Sequence, residues 1–338
     1  MIRIGPYELR NAVLLAPMAG VTDAPFRAAA MRLGAGLAVA EMAAGKEVLN
    51  GRHLARLAGE NAGGGPFAVQ LAGSDPVLMA RAARVALANG AQVVDINMGC
   101  PAKLVTGKLS GAALMREPAL ARRIVEAVVA VAGQAPVTLK MRLGWDDAQR
   151  NATDIALMAA DAGVSMITVH GRTRQRFYHG RADWAAVGDV VRALRAAGHA
   201  IPVIVNGDIV DAATARTALA RSGADGVMIG RAATGRPWLP GEIAEALAPG
   251  SGIAPLPFAR QAWELARLHA AMTDFHGERA GVRRARKHLK AALAHWRAAG
   301  AVPVEQAERL REIFLRAEEA GRVRAALLAL AEGRRDAA

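Results

Sequence analysis

The one cysteine of the chain, Cys100, stands between Gly99 and Pro101, just beyond a mainly apolar run, Val93 to Asn97. The run is short and rich in β-branched residues, which predicts a buried strand, and the glycine and proline predict that it ends abruptly. A lone cysteine forms neither an intrachain disulfide nor a thiolate metal cluster, so it is either a small buried hydrophobe or a reactive thiol. The polar loop that follows, with Lys103, favours a thiol that faces a site, and we expect no metal.

The element that carries Cys100 is one of a regular series. Apolar runs of strand length recur at about 12–17, 37–42, 66–71, 92–97, 136–142, 166–170, 202–206 and 225–229. Segments with helical spacing lie between them, for example 80–88, 121–131 and 212–220. Strands that are apolar on both faces and alternate with helices predict an α/β fold, a parallel (β/α)8 TIM barrel.

Residues of types that could form a site follow these strands at their C-terminal ends. They are Pro17, Met18, Gln70, Asn97, Cys100, Lys140, His170, Asn206, Gly207, Asp208, Gly230 and Arg231. In a (β/α)8 barrel the C-terminal ends of the strands form the catalytic face, so we expect these residues to converge on one mouth. The strand pattern alone therefore predicts that these residues lie where a barrel enzyme carries its active site.

Gly230 and Arg231 follow the last strand and open a helical segment. Backbone N–H groups at such a position, with an arginine beside them, suit a phosphate, and phosphate sites of barrels follow strands seven and eight. Asn206, Gly207 and Asp208 end strand seven. Either glycine alone could be an ordinary turn residue, but the pair at these two strand ends predicts a phosphate site.

The last part of the chain differs in composition. Residues 248–257 are dense in proline and glycine, which predicts a linker between a catalytic domain, 1–247, and a helical domain, 258–338. Arg283, Arg286, Lys287 and Lys290 recur at helical spacing and share one face. A solvated charged face is the usual interpretation, but no acidic residue lies between 279 and 304, which favours contact with RNA.

The loop after His170 carries further basic and aromatic residues: Arg172, Arg174, Arg176, Phe177, Tyr178 and Arg181. This mixture suits contact with phosphates and stacking on bases. The whole chain has a formal net charge of +13. Such an excess fits a polyanionic partner, although a bias towards arginine in the genome would also produce it.

The N-terminus has no apolar signal region, and no apolar run is long enough to span a bilayer. With a single cysteine, this predicts a cytoplasmic protein without a membrane partner.

Several motifs together resemble one known family. Asn97 to Pro101, with Lys103, is similar to the active-site signature of the tRNA-dihydrouridine synthases. Further stretches match that family in order: 16–23, 69–71, 138–142, 169–174, 205–209 and 228–231. Within the family, the form of the cysteine motif and the opening residues 4–11 most resemble the bacterial B-type branch.

The resemblance implies an FMN barrel that reduces a uracil in tRNA. NADPH or NADH would reduce FMN, hydride would then pass to C6 of the uracil, and Cys100 would protonate C5. FMN would contact Pro17, Met18, Ala19, Gln70, Lys140, His170, Asn206, Gly207, Asp208, Gly230 and Arg231. A structural histidine is the other interpretation of His170. The substrate would contact Asn97, Lys103, Arg172, Arg174, Arg283, Arg286, Lys287 and Lys290. We expect a monomer without a protein partner.

The sequence is also compatible with two other functions. An FMN barrel acting on a free pyrimidine, like the dihydroorotate dehydrogenases, would need neither the basic helical region nor the arginine-rich loop. A nucleic-acid-binding protein that has lost its chemistry would not need Cys100, Lys140 and His170 together.

Overall fold

A parallel sheet curled into a barrel forms the centre of the computed structural model, which describes residues 2–44, 48–49, 65–250 and 255–333. A short antiparallel hairpin, β1 (Arg3–Ile4) and β2 (Tyr7–Glu8), precedes it. The sheet strands are β3 (Val13–Leu15), β4 (Leu37–Ala38), β5 (Ala43–Ala44), β6 (Ala68–Ala72), β7 (Val93–Met98), β8 (Val137–Arg142), β9 (Met166–His170), β10 (Val203–Asn206) and β11 (Gly226–Ile229). Their order is β4-β3-β11-β10-β9-β8-β7-β6-β5, and a parallel bridge between Val39, just after β4, and Ala68 of β6 closes the sheet into a barrel. The predicted barrel is confirmed.

The second predicted strand, 37–42, differs from the prediction. The structure divides it into β4, which pairs with β3, and β5, which pairs with β6. Between them, the N–H of Ala40 donates to the carbonyl of Ala68 at 2.9 Å. The segment thus pairs first with β3 and then with β6. Neither of its two strands is longer than two residues.

Helices surround the barrel in the order that the sequence predicts. They are α1 (Ala24–Arg32), α2 (Pro76–Ala88), α3 (Lys103–Thr106), α4 (Pro118–Ala132), α5 (Ala152–Asp161), α6 (Trp184–Ala196), α7 (Ala212–Ser222) and α8 (Leu239–Leu247). Two short 3₁₀ helices, Gly111–Arg116 and Arg231–Ala233, stand near the mouth. Several starts follow from local chemistry: the Asp75 side chain accepts from two N–H groups of α2, and Asp211 forms a capping box with Thr214.

The core has the two layers that a barrel requires. Alternate strand residues such as Leu14, Ile204 and Met228 fill the barrel, and Ile2 and Ile4 of the N-terminal hairpin pack beneath them. The intervening strand residues face outward and pack against the helices. The interior is therefore closed at its N-terminal end, which leaves the C-terminal end for a site.

Four more helices follow: α9 (Phe258–His276), α10 (Glu278–Ala298), α11 (Val304–Arg316) and α12 (Ala320–Ala331). Helix α9 packs against α10, α12 and, on the barrel side, α1. Of the predicted linker, 248–257, residues 251–254 lie outside the described residues, as do 334–338 of the helical region. The domain boundaries remain a prediction. None of the described helices combines the length and the hydrophobicity that a bilayer crossing requires.

Polar contacts join this helical region to the first βα loop of the barrel. His276 Nε2 lies 2.7 Å from a carboxylate oxygen of Asp23, and both side chains are buried. Lys287 Nζ donates to the carbonyl of Gly20. Arg32 of α1 contacts both carboxylate oxygens of Glu264, at 3.1 and 2.5 Å, and Glu264 is fully buried. Residues of the C-terminal helices therefore hold the loop between β3 and α1 in place.

Candidate active site

A cavity of about 660 Å³ opens at the C-terminal ends of the strands. The residues predicted to converge there all line it, as does Ala19: Pro17, Met18, Gln70, Asn97, Cys100, Lys140, His170, Asn206, Gly207, Asp208, Gly230 and Arg231. Its volume lies in the range of about 300–1,000 Å³ that is typical of small-molecule sites. Lys103, Arg172, Arg174 and the basic residues of α10 are not among the lining residues.

Cys100 lies on a turn that is held from several sides. Asn97 Oδ1 accepts from the N–H groups of Gly99, at 3.1 Å, and of Cys100, at 2.9 Å. Arg142 Nε donates to the Gly99 carbonyl at 2.8 Å. Gly111 has a φ of +62°, and a Cβ there would lie 2.8 Å from the Cys100 carbonyl oxygen, so the following loop needs glycine to pass the cysteine. The thiol is half-buried, at the edge of the cavity.

Lys140 presents an ammonium group to the cavity wall. Its Nζ donates to Asn206 Oδ1 at 3.1 Å, and Asn206 Nδ2 in turn donates to the Met228 carbonyl at 2.7 Å. Burial, reinforced by repulsion from Arg142, lowers the pKa of Lys140 to about 8. A half-buried cation in this condition favours a ligand that brings an anion or a hydrogen-bond acceptor.

His170 is a neutral imidazole in a defined tautomer. Arg172 Nη1 lies 3.3 Å from His170 Nε2, and because a guanidinium can only donate, Nε2 accepts and Nδ1 carries the proton. Burial and the nearby Arg142 and Lys140 charges lower the pKa of His170 well below its usual value. Gly207 has a φ of +110°, and a Cβ there would lie 2.9 Å from the imidazole Cδ2. Glycine is therefore what allows the ring to lie against the β10 turn.

Arg172 does not occupy the open RNA-contacting loop in which the sequence placed it. Only 2% of its side chain is exposed, and its Nη2 donates to both carboxylate oxygens of Asp208, at 2.8 and 2.6 Å. The same guanidinium donates to the carbonyls of His179 and Gly180. It follows β9 so closely that its side chain turns back toward the barrel, where it orients His170.

Arg174 also has an internal partner. Its guanidinium stacks on Trp145, 4.6 Å from the ring centroid, and Arg116 stacks on the same ring at 4.9 Å. Arg174 Nη2 lies 3.5 Å from Thr106 Oγ1 in α3, the short helix after Cys100. Arg174 thus lies against the loop that carries the cysteine.

The basic face of α10 divides into two pairs. Arg283 and Lys290 are exposed, as the prediction requires. Arg286 donates to the Ala317 carbonyl at 3.2 Å, and Lys287 donates to Gly20, so these two are half-buried within the molecule. Lys103, at the start of α3, is exposed close to the mouth.

Sequence reasoning missed two residues, Arg142 and Asp95. Arg142 lines the cavity and, besides Gly99, donates to the carbonyls of Thr173 and Phe177, at 3.0 and 2.9 Å. Arg142 could have been identified from its position two residues after Lys140, because that spacing places both side chains on one face of β8. Asp95 has the same relation to Asn97 on β7.

Two aromatic residues form the outer wall of the cavity. The Arg231 guanidinium lies 4.4 Å from the ring centroid of Tyr178, which packs edge-on against Phe177 at 4.6 Å. Both aromatic side chains are about two-fifths exposed. They are thus available to a ligand that enters the mouth.

Comparison with known proteins agrees with this geometry. The family model described as dihydrouridine synthase matches residues 14–331. A "probable tRNA-dihydrouridine synthase" of Rhodobacter capsulatus is 50% identical over 313 residues, 92% of this chain and 93% of its own. "tRNA-dihydrouridine synthase B" of Xanthomonas axonopodis pv. citri is 48% identical, over 85% of each chain. The protein of that name from Shewanella oneidensis is 45% identical, over 85% of this chain and 88% of its own.

Solved structures with low sequence identity share the fold. Histamine dehydrogenase from Rhizobium sp. 4-9 has a TM-score of 0.51 at 16% identity, over 71% of this chain and 46% of its own. The amine oxidase for 6-hydroxypseudooxynicotine from Pseudomonas geniculata N1 has a TM-score of 0.56 at 16% identity, over 72% and 48%. This chain spans about half the length of those two chains, so the likeness is one of barrel architecture. The match along almost the whole sequence and the close relatives establish that the chain is an enzyme of the dihydrouridine synthase family.

Proposed function

We propose that this enzyme reduces specific uridines of tRNA to 5,6-dihydrouridine, with NADPH or NADH as reductant and FMN as the bound cofactor. The names of the close relatives support tRNA as the substrate. The observation that carries the proposal is the position of Cys100, held on a rigid turn at the edge of a cavity that also contains Lys140 and His170. FMN, when bound there, supplies hydride to C6 of the uracil.

The cavity fits a flavin phosphate in charge and shape. Its charged lining residues are Lys140, Arg142, Arg231 and Asp208, and the carboxylate of Asp208 is already neutralised by Arg172. The remaining positive charge favours an anionic ligand. Gly230 leaves open space where a side chain would stand, since only Ala16 lies within 4.0 Å of a Cβ placed there.

We assign separate parts of the ligand to separate walls. Gly207, Gly230 and Arg231 would hold the phosphate at the ends of β10 and β11. Lys140 and the Nδ1–H of His170 would face the polar ring edge, where negative charge builds up on reduction. Pro17, Met18 and Ala19 would lie against the ring, and Gln70, Asn206 and Asp208 complete the wall.

Cys100 supplies the proton that balances the reaction. Hydride adds to C6 of the uracil, and the thiol gives its proton to C5, so the C5=C6 double bond becomes single. The thiolate that remains takes up a proton from solvent before the next turnover. Asn97, beside the thiol, would hold the uracil edge.

Exposed basic residues outside the cavity would hold the rest of the tRNA. They are Lys103 near the mouth and Arg283 and Lys290 on α10. The target base must leave its stack to reach the cavity, and Phe177 and Tyr178 at the mouth are available to stack on it. We propose that the enzyme acts in the cytoplasm, where it would meet a tRNA substrate, and that it acts there as a monomer.

The test is to incubate the purified protein with unmodified tRNA and NADPH, digest the RNA with nuclease, and analyse it by mass spectrometry. We expect dihydrouridine at defined positions. A yellow protein that oxidises NADPH but leaves tRNA unchanged, and that instead acts on uracil or dihydroorotate, would favour the free-pyrimidine enzyme. A colourless protein that binds tRNA would favour a binding protein without chemistry.

A further inference from the structure

A chain of hydrogen bonds runs behind the cavity wall and ends at Cys100. Asp95 does not line the cavity, and its side chain is only 3% exposed. Its carboxylate accepts from Thr138 Oγ1 at 2.5 Å and from Gln70 Nε2 at 2.6 Å. Gln70 Oε1 accepts from Asn97 Nδ2 at 2.7 Å, and Asn97 Oδ1 accepts from the N–H of Cys100.

The register of the strands creates this chain. Asp95 on β7 stands opposite Gln70 on β6 and Thr138 on β8. Asn97 lies two residues further along β7 and therefore on the same face as Asp95. The series of hydrogen bonds thus runs from a layer inside the barrel to its mouth.

The direction of every bond is fixed from the Cys100 end. A backbone N–H can only donate, so Asn97 must present its oxygen to the turn and its nitrogen to Gln70. Gln70 must then present its oxygen to Asn97 and its nitrogen to Asp95. The group at position 95 must accept, and an ionised carboxylate has only acceptors to offer.

A carboxylate in this place costs free energy, because burial penalises the charged form. The same burial raises the pKa of Asp95, while the bonds from Thr138 and Gln70 lower it. An apolar side chain would fill the layer at less cost. The presence of a carboxylate at position 95 is therefore explained by the hydrogen bonds it accepts from Gln70 and Thr138.

We propose that Asp95 is a positioning residue for the reduction: it fixes both amides in one orientation and so holds the turn that carries Cys100. The proposal rests on the proposed function, in which Cys100 gives a proton to uracil. Without an acceptor at position 95, Gln70 and Asn97 can rotate and release the two backbone N–H groups.

The first test compares Asp95→Leu, which keeps similar bulk and removes the acceptor, with Asp95→Asn, which keeps an oxygen. Because Cys100 is the only cysteine, its alkylation by iodoacetamide, followed by mass spectrometry, reports on this turn alone. In Asp95→Leu we expect alkylation to be about fivefold faster and turnover on tRNA at least about tenfold slower. In Asp95→Asn both rates should stay within about threefold of the wild type.

A second pair of variants decides the matter if Asp95→Leu does not fold. Gln70→Glu sets two carboxylates against each other where the present contact is 2.6 Å. We expect faster alkylation, by about fivefold at one fixed pH, because the introduced carboxylate and that of Asp95 repel each other and the new side chain leaves its place. Adding Asp95→Asn restores a donor–acceptor pair and should return the rate to within about twofold of the wild type.

The matched control is Gln92→Glu. Gln92 is another side-chain amide of the barrel, half-buried where Gln70 is fully buried, and it accepts from Phe67 N–H at 3.0 Å near the opposite end of the strands. Its replacement should leave the alkylation rate unchanged. A folded Asp95→Leu protein with wild-type alkylation, or a double variant no slower than Gln70→Glu, would overturn the proposal. Alkylation needs neither tRNA nor FMN, so a failure of the proposed function would leave this test intact.

Discussion

The chemistry of the site depends on how little freedom its side chains retain. The Cys100 turn is bonded through the N–H groups of Gly99 and Cys100 and through both of their carbonyls, and His170 is held in one tautomer by Arg172. Such contacts place the thiol before the substrate arrives. A proton donor that is already in position loses less entropy in the reaction.

Replacing the thiol tests its role most directly. Cys100→Ala should lower turnover on tRNA by roughly 10²–10⁴-fold, the usual contribution of a general acid. The binding of FMN and its reduction by NADPH should persist, since neither involves the uracil. Stopped-flow absorbance can follow the flavin, and mass spectrometry the dihydrouridine. Wild-type turnover in this variant would remove Cys100 from the mechanism.

The pKa of Lys140 gives a pH dependence of ligand binding. Because burial lowers that pKa to about 8, the ammonium loses its proton as the pH rises through this value. The affinity for FMN should therefore weaken roughly tenfold between about pH 7 and pH 9. Fluorescence titration of the apoprotein measures it. Lys140→Met should bind more weakly and show no such step; an equal step in this variant would assign the titration to another group.

The sequence predicted the lining of the cavity well but the basic residues around it less well. Strand ends converge by topology, so the pattern of strands was enough for Gln70, Lys140 and His170. Arg172 and Lys287 were placed by their neighbours in sequence, whereas their partners lie 36 and 267 residues away. Helical spacing gives the face of a side chain, but only the folded chain supplies its partner.

At the scale of elements, α10 serves two purposes with one helix. Its buried residues, such as Leu289 and Trp296, pack in the core, while Arg286 and Lys287 bond to backbone carbonyls of α11's end and the first βα loop. Of the four basic residues predicted to share one face of α10, Arg283 and Lys290 are the two left exposed for an external polyanion. The expected RNA contact is therefore narrower than the sequence indicated.

Removing that exposed pair should change the salt dependence of tRNA binding. The Arg283→Ala/Lys290→Ala variant should bind tRNA more weakly. The slope of the logarithm of the association constant against the logarithm of the salt concentration should become less steep by roughly 1.5–2. Filter binding at several salt concentrations measures both. The control is Arg81→Ala/Arg84→Ala, an exposed pair on α2 with the same change of charge. Equal slopes for the two variants would make the α10 pair ordinary surface charge.

At the scale of the molecule, the helical region and the barrel share a polar seam. The fully buried Glu264 receives Arg32 from the barrel side and Arg260, at 2.8 Å, from its own helix. Two arginines compensate one carboxylate, so neither can be removed without cost. The Arg32–Glu264 contact, like the Asp23–His276 pair, was beyond prediction from the sequence because the partners are 232 and 253 residues apart.

Arg32→Met should weaken the seam. Leaving a buried carboxylate with fewer donors costs about 1–3 kcal/mol in the free energy of unfolding. Urea denaturation measures this cost, and amide exchange should rise in α1 and α9 before it rises in the strands. Arg122→Met, which breaks an exposed pair with Glu126 at 3.6 Å, should cost about 1 kcal/mol or less. Equal costs would show that the seam contributes no more than a surface pair.

The hydrogen bonds from α9 and α10 to the first βα loop form late during synthesis of the chain. Asp23 and Gly20 leave the ribosome early, but their partners, His276 and Lys287, are 253 and 267 residues further along. A nascent chain that has completed every strand of the barrel still lacks the contacts that hold this lip of the cavity. The two contacts can be present together only after translation has passed Lys287, so a chain that ends before this residue lacks at least the bond to Gly20.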